Sequence, residues 1–146
     1  MNEEKLENAL CFKIYSASRM LTRLYKPILD RFNLTFPQYI TMMALWDNDN
    51  ISFKELRKKL MLETGTLTPL IKKLEVMGHL KRVRDTVDER NVFIALTENG
   101  KKLKEETKVV SQEILEKIGI SYDEYHEFLK DTEALFTVLN KAEDRY

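Results

Sequence analysis

The chain has 146 residues, of which 43% are hydrophobic and 33% are charged, a composition typical of one globular domain with a modest core. Its 24 basic and 24 acidic side chains cancel to a formal net charge of zero, which argues against a uniformly basic nucleic-acid-binding protein. A single cysteine excludes a disulfide within the chain and fits a reducing cytoplasm. Together with only two histidines it offers no metal-ligand spacing, so we expect neither a metal nor a cofactor.

The charges are distributed unevenly along the chain. Residues 1–53 carry 6 basic and 6 acidic side chains, residues 54–97 carry 10 and 6, and residues 98–146 carry 8 and 12. The net charges of the three segments are therefore 0, +4 and −4. The basic middle segment is where a nucleic acid is expected to dock.

The apolar segments of the chain do not predict export or a membrane span. Residues 1–4 contain no basic region followed by an apolar run, so we expect no secretory signal. The most apolar segment, residues 34–46, is interrupted by Pro37 and Gln38 and is too short to cross a bilayer. We expect a cytoplasmic protein with no membrane partner.

Apolar residues at nearly helical spacing predict a long first helix over about residues 5–30, with Pro27 bending or loosening its end. Further helix starts are marked by capping boxes, in which a Ser or Thr precedes a Glu or Gln by three residues. These are Thr35 with Gln38, Ser52 with Glu55, and Ser121 with Glu124. Helices should therefore begin near residues 36, 53 and 122.

The segment from residue 53 to residue 77 has the pattern of a helix-turn-helix. Its first helix should run from Phe53 to about Leu60, and residues 61–63 should form the turn. In the second helix, apolar residues recur at i, i+3, i+4, i+7 and i+10. This spacing predicts one buried stripe formed by Leu67, Leu70, Ile71, Leu74 and Met77.

The second helix should begin near residues 64–66, because Pro69 is best tolerated in a first turn, and Gly78 should end it. Its polar face carries Thr64, Thr66, Thr68, Lys72 and Lys73. Threonines can hydrogen bond to base edges and phosphates, and lysines neutralise phosphate charge. An ordinary surface helix has the same pattern, so the helix alone does not decide between the two interpretations.

A predicted β-hairpin follows this helix. Residues 80–84 and 92–96 are short, partly β-branched segments, and the charged loop between them is too long for a minimal turn. Arg90 could enter a minor groove from this loop, with Asp88 holding its guanidinium extended, and the alternative is a solvated turn with a weak ion pair. A helix followed by such a hairpin predicts a winged helix-turn-helix that binds double-stranded DNA.

The remainder of the chain is predicted to be helical. Thr97 should cap a helix that runs to about Ile118, where Gly119 ends it, and a final helix should follow. The expected fold is mainly α, with six helices and a small β-hairpin wing.

Two segments, TGTLTPLIKKLE and GHLKRVRDTVDERNVFIALTENG, resemble the recognition helix, the wing and the next helix start of MarR-type regulators. The segment ENALCFKIYSASRMLTRLYKPILDRFNLTFPQY is similar to the OhrR-like branch, which senses organic hydroperoxides. The similarity covers roughly residues 5–105. It implies a single MarR-type domain over residues 1–146, with a DNA-binding unit at 35–97 and dimerisation helices at 5–34 and 98–146.

The resemblance also implies roles for individual residues at the DNA. Glu63, Thr64 and Thr66 would lie where the recognition helix meets the major groove, and Arg82 or Arg84 would contact the DNA backbone. Glu63 stands where the family often has Asp, a change that could alter the base preference.

Apolar side chains at the two ends of the chain exceed what one small domain would cover. They are Leu6, Leu10, Phe12, Tyr125, Phe128, Leu129, Leu135, Phe136 and Leu139. A symmetric dimer would bury them and would set two recognition helices about one DNA turn apart, so we expect an inverted-repeat operator. The alternative is a monomer whose end helices cap the winged helix.

Cys11 is the candidate sensor, although most buried thiols are inert and reactivity requires a stabilised thiolate. Tyr15 lies one helical turn further along and could donate a hydrogen bond to the sulfur. The resemblance implies that Tyr25 of the other subunit also holds the sulfur. It further implies a second tyrosine at the position of Phe36, and the missing hydroxyl predicts slower attack on peroxide.

The redox hypothesis begins with attack of the Cys11 thiolate on an organic hydroperoxide, which gives a sulfenic acid. Reaction with a low-molecular-weight thiol, or over-oxidation, would then add bulk against a pocket of Phe12, Phe36 and Trp46 and release the DNA. The alternative effector is a small aromatic or phenolic ligand in the dimer crevice.

Two other classes of protein are less consistent with the sequence. A cysteine enzyme needs a base or cation beside its nucleophile, and His79 and His126 are both remote from Cys11 in the sequence. A helical adaptor without a DNA role would bind its partner without the salt dependence that phosphate contacts produce. We expect a regulator and not an enzyme.

Overall fold

The computed structural model describes residues 5–144, so the expectation about a signal in residues 1–4 lies outside the described residues. The described chain begins with a short 3₁₀ turn at Leu6–Asn8. The elements that follow are α1 (Leu10–Asp30), α2 (Phe36–Asp47), β1 (Ile51–Ser52), α3 (Phe53–Leu60), α4 (Thr64–Val76), β2 (Leu80–Arg84), β3 (Val92–Leu96), α5 (Glu98–Glu106), α6 (Val109–Ile118) and α7 (Tyr122–Glu143). The expected mainly α fold with a β-hairpin wing is confirmed.

The three helix starts at the predicted caps are confirmed. Gln38 N donates to Thr35 Oγ1 at 3.3 Å, and Thr35 N donates back to Gln38 Oε1 at 2.9 Å, so α2 begins with a complete capping box. Ser121 and Glu124 form the same reciprocal pair before α7. At α3, Glu55 N donates to Ser52 Oγ at 3.1 Å.

The prediction that the first helix begins near residue 5 is wrong, because α1 begins at Leu10. Ala9 has an extended backbone, with φ −75° and ψ 121°, and it separates the 3₁₀ turn from α1. In that turn the N–H groups of Asn8 and Ala9 bond three residues back, to Lys5 O and Leu6 O. Asparagine competes with the backbone for hydrogen bonds and favours such turns over a helix interior.

The single helix predicted from Thr97 to Ile118 is also wrong, because the structure has α5 and α6 there. The Thr107 hydroxyl donates to Leu103 O at 2.8 Å and to Lys104 O at 3.3 Å. The next N–H groups, of Lys108 and Val110, bond three residues back instead of four. Competition by the threonine hydroxyl, followed by two β-branched valines, interrupts the helix. The described residues therefore form seven α-helices where six were expected.

The chain divides into two compact units, Met1–Val110 and Ser111–Tyr146. In the first unit α2 is the central element and contacts α1, α3, α4, α5 and β3. The most deeply buried side chains come from these elements and from β2, and they include Met42, Leu45, Leu56, Leu67, Ile71, Leu74, Leu80 and Ile94. Of the predicted α4 stripe, Leu67, Ile71 and Leu74 are buried, and Leu70 and Met77 are half-buried.

The sheet has the order β1-β3-β2, and both pairs are antiparallel. The two wing strands have the predicted bounds and pair Leu80 with Leu96 and Arg84 with Val92. The short strand β1, which pairs Ile51 with Ile94, was not predicted because two residues contain no periodic pattern. It covers the free edge of β3 and so joins the wing to the start of α3.

In the second unit, α7 has 22 residues and none of them is buried. Its apolar side chains remain exposed in the single chain, apart from the half-buried Leu135, and Phe128 is 62% exposed. In the part of the chain that the structure describes, no helix has both the length and the hydropathy needed to cross a membrane.

Candidate nucleic-acid interface and thiol site

The start of α4 is an exposed, polar helix end. Met61 adopts a left-handed backbone with φ 55°, which ends α3 and lets the chain reverse into α4. Glu63 is the extended N-cap residue, and its side chain makes no hydrogen bond to the first turn. Thr64 and Thr66 are both exposed there. This helix end is therefore accessible to a large ligand.

The polar face continues along α4. Lys72 and Lys73 are exposed, and Thr68 is half-buried. Gly65 lies on the same helix, and a Cβ built on it would meet nothing within 4 Å. Glycine at a helical position usually costs stability relative to alanine, so the internal packing of the chain gives no reason for Gly65. Close approach of an external surface would give one.

The tip loop, residues 85–91, is organised by its own acidic side chains. Arg90 donates from Nε to Asp88 Oδ1 and from Nη2 to Asp88 Oδ2, both at 3.1 Å, and its backbone N–H also donates to Asp88. These bonds hold the pKa of Asp88 below its usual value. The expected ion pair is thus present, and the guanidinium remains accessible because the Arg90 side chain is 89% exposed.

A second ion pair, which we did not predict from the sequence, joins the wing to α4. Glu75, in the last turn of α4, accepts hydrogen bonds from Arg82 Nη2 at 2.9 Å, from Arg82 Nε at 3.2 Å and from the Arg82 backbone N–H at 3.1 Å. The side-chain hydrogen bond from Arg82 is the main cause that lowers the pKa of Glu75, and burial opposes it. Arg82 was expected at the DNA backbone, and that role stays a prediction. Arg84 is exposed.

A cavity of about 630 Å³ lies between the start of α3, α4 and the wing. It is lined by three of the predicted DNA-binding residues, Thr68, Arg82 and Arg90. Ser52, Phe53 and Lys54 line it from the start of α3. The structure thus brings the start of α3, α4 and the wing around one concave surface, whose charged lining residues are Lys54, Glu55, Arg82 and Arg90.

Cys11 lies in the first turn of α1 and is exposed in the single chain. Tyr15, one turn further along, is also exposed, and the Arg19 guanidinium lies 5.5 Å from the centre of its ring. Tyr25 is on the same helix but fourteen residues from Cys11, which is about 21 Å along the axis at the usual helical rise. One chain therefore brings Tyr15, but not Tyr25, near the sulfur.

Tyr25 belongs instead to a series of aromatic side chains between α1 and α2. The centre of its ring is 5.0 Å from that of Phe36 and 6.1 Å from that of Tyr39, and Tyr39 in turn lies 6.2 Å from Trp46. Trp46 also donates from Nε1 to Gly100 O at 2.9 Å. Phe12 lies about 20 Å from Tyr25 along α1. A pocket containing Phe12, Phe36 and Trp46 does not form within one chain.

The family model of the SarA/Rot transcriptional regulators matches residues 23–107 of the chain. The chain is also 42% identical over 135 residues to the organic hydroperoxide resistance transcriptional regulator of Bacillus subtilis, over 92% of this chain and 90% of that protein. The chain belongs to the SarA/Rot family of transcriptional regulators. The resemblance to OhrR-like, MarR-type regulators is thereby confirmed.

Other relatives agree with this assignment. The chain is 38% identical over 124 residues to the HTH-type transcriptional regulator SarZ of Staphylococcus haemolyticus, over 85% of this chain and 84% of that protein. Reduced AbfR bound to DNA, a Staphylococcus epidermidis protein, has a TM-score of 0.80 and 32% identity, over 95% of this chain and 99% of that chain. The relatives from Bacillus subtilis and Staphylococcus haemolyticus are transcriptional regulators, as expected, and not enzymes.

Proposed function

We propose that the protein is a dimeric, sequence-specific DNA-binding repressor, released from an inverted-repeat operator when organic hydroperoxides oxidise Cys11. The observation that supports DNA binding best is the single surface formed by the polar face of α4 and the tip loop. The exposed Thr64, Thr66, Lys72 and Lys73 would meet the major groove and its phosphates. Arg90 would reach the neighbouring minor groove, already extended by Asp88.

The relative AbfR supports this mode of binding, because a structure of its reduced form bound to DNA has the same fold. The charge distribution agrees, since the net +4 of residues 54–97 lies on the winged helix. We expect the affinity for duplex DNA to fall steeply with salt, because each neutralised phosphate releases counterions.

Two exposed apolar faces support a dimer. The first unit exposes Leu10 and Tyr15 on α1, and the second unit exposes the stripe of α7 that includes Phe128 and Leu139. Large exposed apolar faces of this kind usually mark a protein interface. A second copy of the chain would cover each of them, and a two-fold dimer would match an inverted repeat.

The redox mechanism depends on this dimer. Because Tyr25 is about 21 Å from Cys11 along α1, it can hold the sulfur only from the other subunit. The Cys11 thiolate would attack the hydroperoxide and become a sulfenic acid while an alcohol leaves. A small thiol would then displace water to form a mixed disulfide. The added bulk between the subunits would change the spacing of the two recognition helices.

The mixed disulfide is the product we expect to release DNA. The relative AbfR has a crystal structure in its overoxidized form bound to DNA, so over-oxidation leaves that relative able to bind. With Cys11 as the only cysteine, a small thiol is the simplest resolving partner for this chain.

Fluorescence anisotropy with a labelled inverted-repeat duplex tests the proposal. Cumene hydroperoxide with glutathione should release the wild-type protein, and hydroperoxide alone should release less of it. Cys11→Ser should bind the duplex as the wild type does and should ignore both reagents. Release of Cys11→Ser by the peroxide would show that the thiol is not the switch.

A second candidate effector is a small aromatic or phenolic ligand. A groove of about 250 Å³ is lined by the apolar side chains of Leu34, Phe36 and Pro37 and by polar ones, among them Arg23 and a Lys26 that is paired with Asp30. A phenolic carboxylate would suit such a lining. Equal release of the wild type and of Cys11→Ser by salicylate would favour this alternative.

A further inference from the structure

We propose that Glu75 is a positioning residue for DNA binding, which fixes the angle of the wing to the recognition helix through its ion pair with Arg82. The inference rests on the proposed DNA-binding function. It gives Arg82 a role within the protein, where the sequence had suggested a contact to the DNA backbone.

The geometry of the pair suits this role. Glu75 lies one residue before the end of α4, and Arg82 is the central residue of β2, paired with Ile94 of β3. The carboxylate accepts two side-chain donors and the backbone N–H of the same arginine. A planar guanidinium held at two points, together with the strand backbone, restricts rotation of the hairpin about the turn after α4.

The position of the pair along the hairpin amplifies its effect. The tip loop begins at Asp85, three residues beyond Arg82, and Arg90 lies on the far side of that loop. At about 3.3 Å per strand residue, Arg90 projects well beyond the point where the pair holds the strand. A small rotation at Arg82 would therefore displace Arg90 by a larger distance.

The sign of the charge makes the inference testable. An acidic residue on the recognition helix repels phosphate and neutralises an arginine, so its charge alone should weaken DNA binding. If Glu75 acted only through charge, Glu75→Gln would bind DNA more tightly than the wild type. If Glu75 positions the wing, the same variant binds DNA more weakly, and Arg90 contributes less to its affinity for DNA.

A double-mutant cycle in the anisotropy assay separates the two cases. We expect Glu75→Gln to weaken DNA binding. We also expect it to reduce by about fivefold the loss of affinity that Arg90→Ala causes, because the displaced wing no longer places Arg90 in the groove. Glu98→Gln is the matched control, since it removes the same charge and an exposed ion pair with Lys101 inside one helix. In that background the Arg90→Ala penalty should be unchanged.

Arg82→Lys is the second variant, because it keeps the positive charge but cannot make the forked contact. It should reproduce the reduced Arg90→Ala penalty, and urea unfolding of both variants should show that they are folded. The inference would be overturned if Glu75→Gln bound DNA more tightly than the wild type. It would also be overturned if the affinity losses of Glu75→Gln and Arg90→Ala were additive in the double variant. Failure of the wild type to prefer any duplex at low salt would instead overturn the proposed function.

Discussion

The helices α4 and α7 are both amphipathic, but only α4 buries its apolar stripe within the described chain. Leu67, Ile71 and Leu74 of α4 are completely or almost completely buried, whereas α7 is longer and buries none of its residues. The winged-helix region therefore completes its own core. The apolar stripe of α7 requires a surface that this single chain does not supply.

The comparison also separates two kinds of site. The winged helix is assembled from contacts inside one chain, such as the Glu75–Arg82 and Asp88–Arg90 pairs. The proposed thiol site would need both subunits, since Tyr25 lies too far along α1 to reach Cys11 of the same chain. We therefore expect DNA-reading geometry to survive changes that abolish dimerisation, and peroxide sensing not to survive them.

The largest effect should come from placing a charge in the α7 stripe. Phe128→Asp should convert the protein to a monomer and lower its operator affinity by roughly 10²–10⁴-fold, because two linked half-sites become one. Sedimentation velocity would measure the oligomeric state, and fluorescence anisotropy would measure the operator affinity. Ala134→Asp adds the same charge on the opposite face of α7 and should leave both unchanged. A dimer formed by Phe128→Asp would show that α7 is not the interface.

A matched pair of leucine truncations sharpens the same contrast. Leu74→Ala should cost about 2–5 kcal/mol of the free energy of unfolding, because Leu74 is fully buried within the first unit. Leu139 is 50% exposed in the single chain, so Leu139→Ala should lower the free energy of unfolding only at protein concentrations where the dimer is populated. Urea unfolding over a range of protein concentrations distinguishes them. A cost at Leu139 independent of concentration would argue for packing within the chain.

Replacement of two glycines in the first unit by alanine should have opposite effects on stability. At Gly100 a Cβ would lie 2.0 Å from His79 O, so Gly100→Ala should cost about 1–3 kcal/mol of stability. At Gly65 the space is open, so Gly65→Ala should raise helix stability by up to about 1 kcal/mol. The same variant should bind DNA more weakly if the duplex approaches the helix there. Unchanged operator affinity of Gly65→Ala would remove Gly65 from the interface.

The smallest expected effect concerns pH. Arg82 lowers the pKa of Glu75 from the ordinary value of 4.5, so the pair stabilises the folded protein above that pH. The stabilisation should be lost as the pH falls through the lowered pKa. Between about pH 3 and 6, the free energy of unfolding of Glu75→Gln should therefore depend less on pH than that of the wild type. Equal pH profiles would mean that the ion pair contributes no net stability.

The sequence alone determined the elements that depend on local interactions. The bounds of α3, β2 and β3, and the starts of α2, α4 and α7, follow from hydrophobic spacing and helix caps. The Asp88–Arg90 pair was also predictable, because its members are two residues apart in one loop. These signals lie within a few residues of the features they specify.

Only the tertiary structure decided which distant residues meet. The two-residue strand β1, the pair between Glu75 and Arg82, and the contact of Trp46 with Gly100 join segments whose spacing follows no periodic rule. The separation of Cys11 from Tyr25 likewise became decisive only once α1 was known to be continuous between them. Local propensity specifies where helices and strands begin and end, whereas the packing of side chains distant in sequence determines which of them form a site.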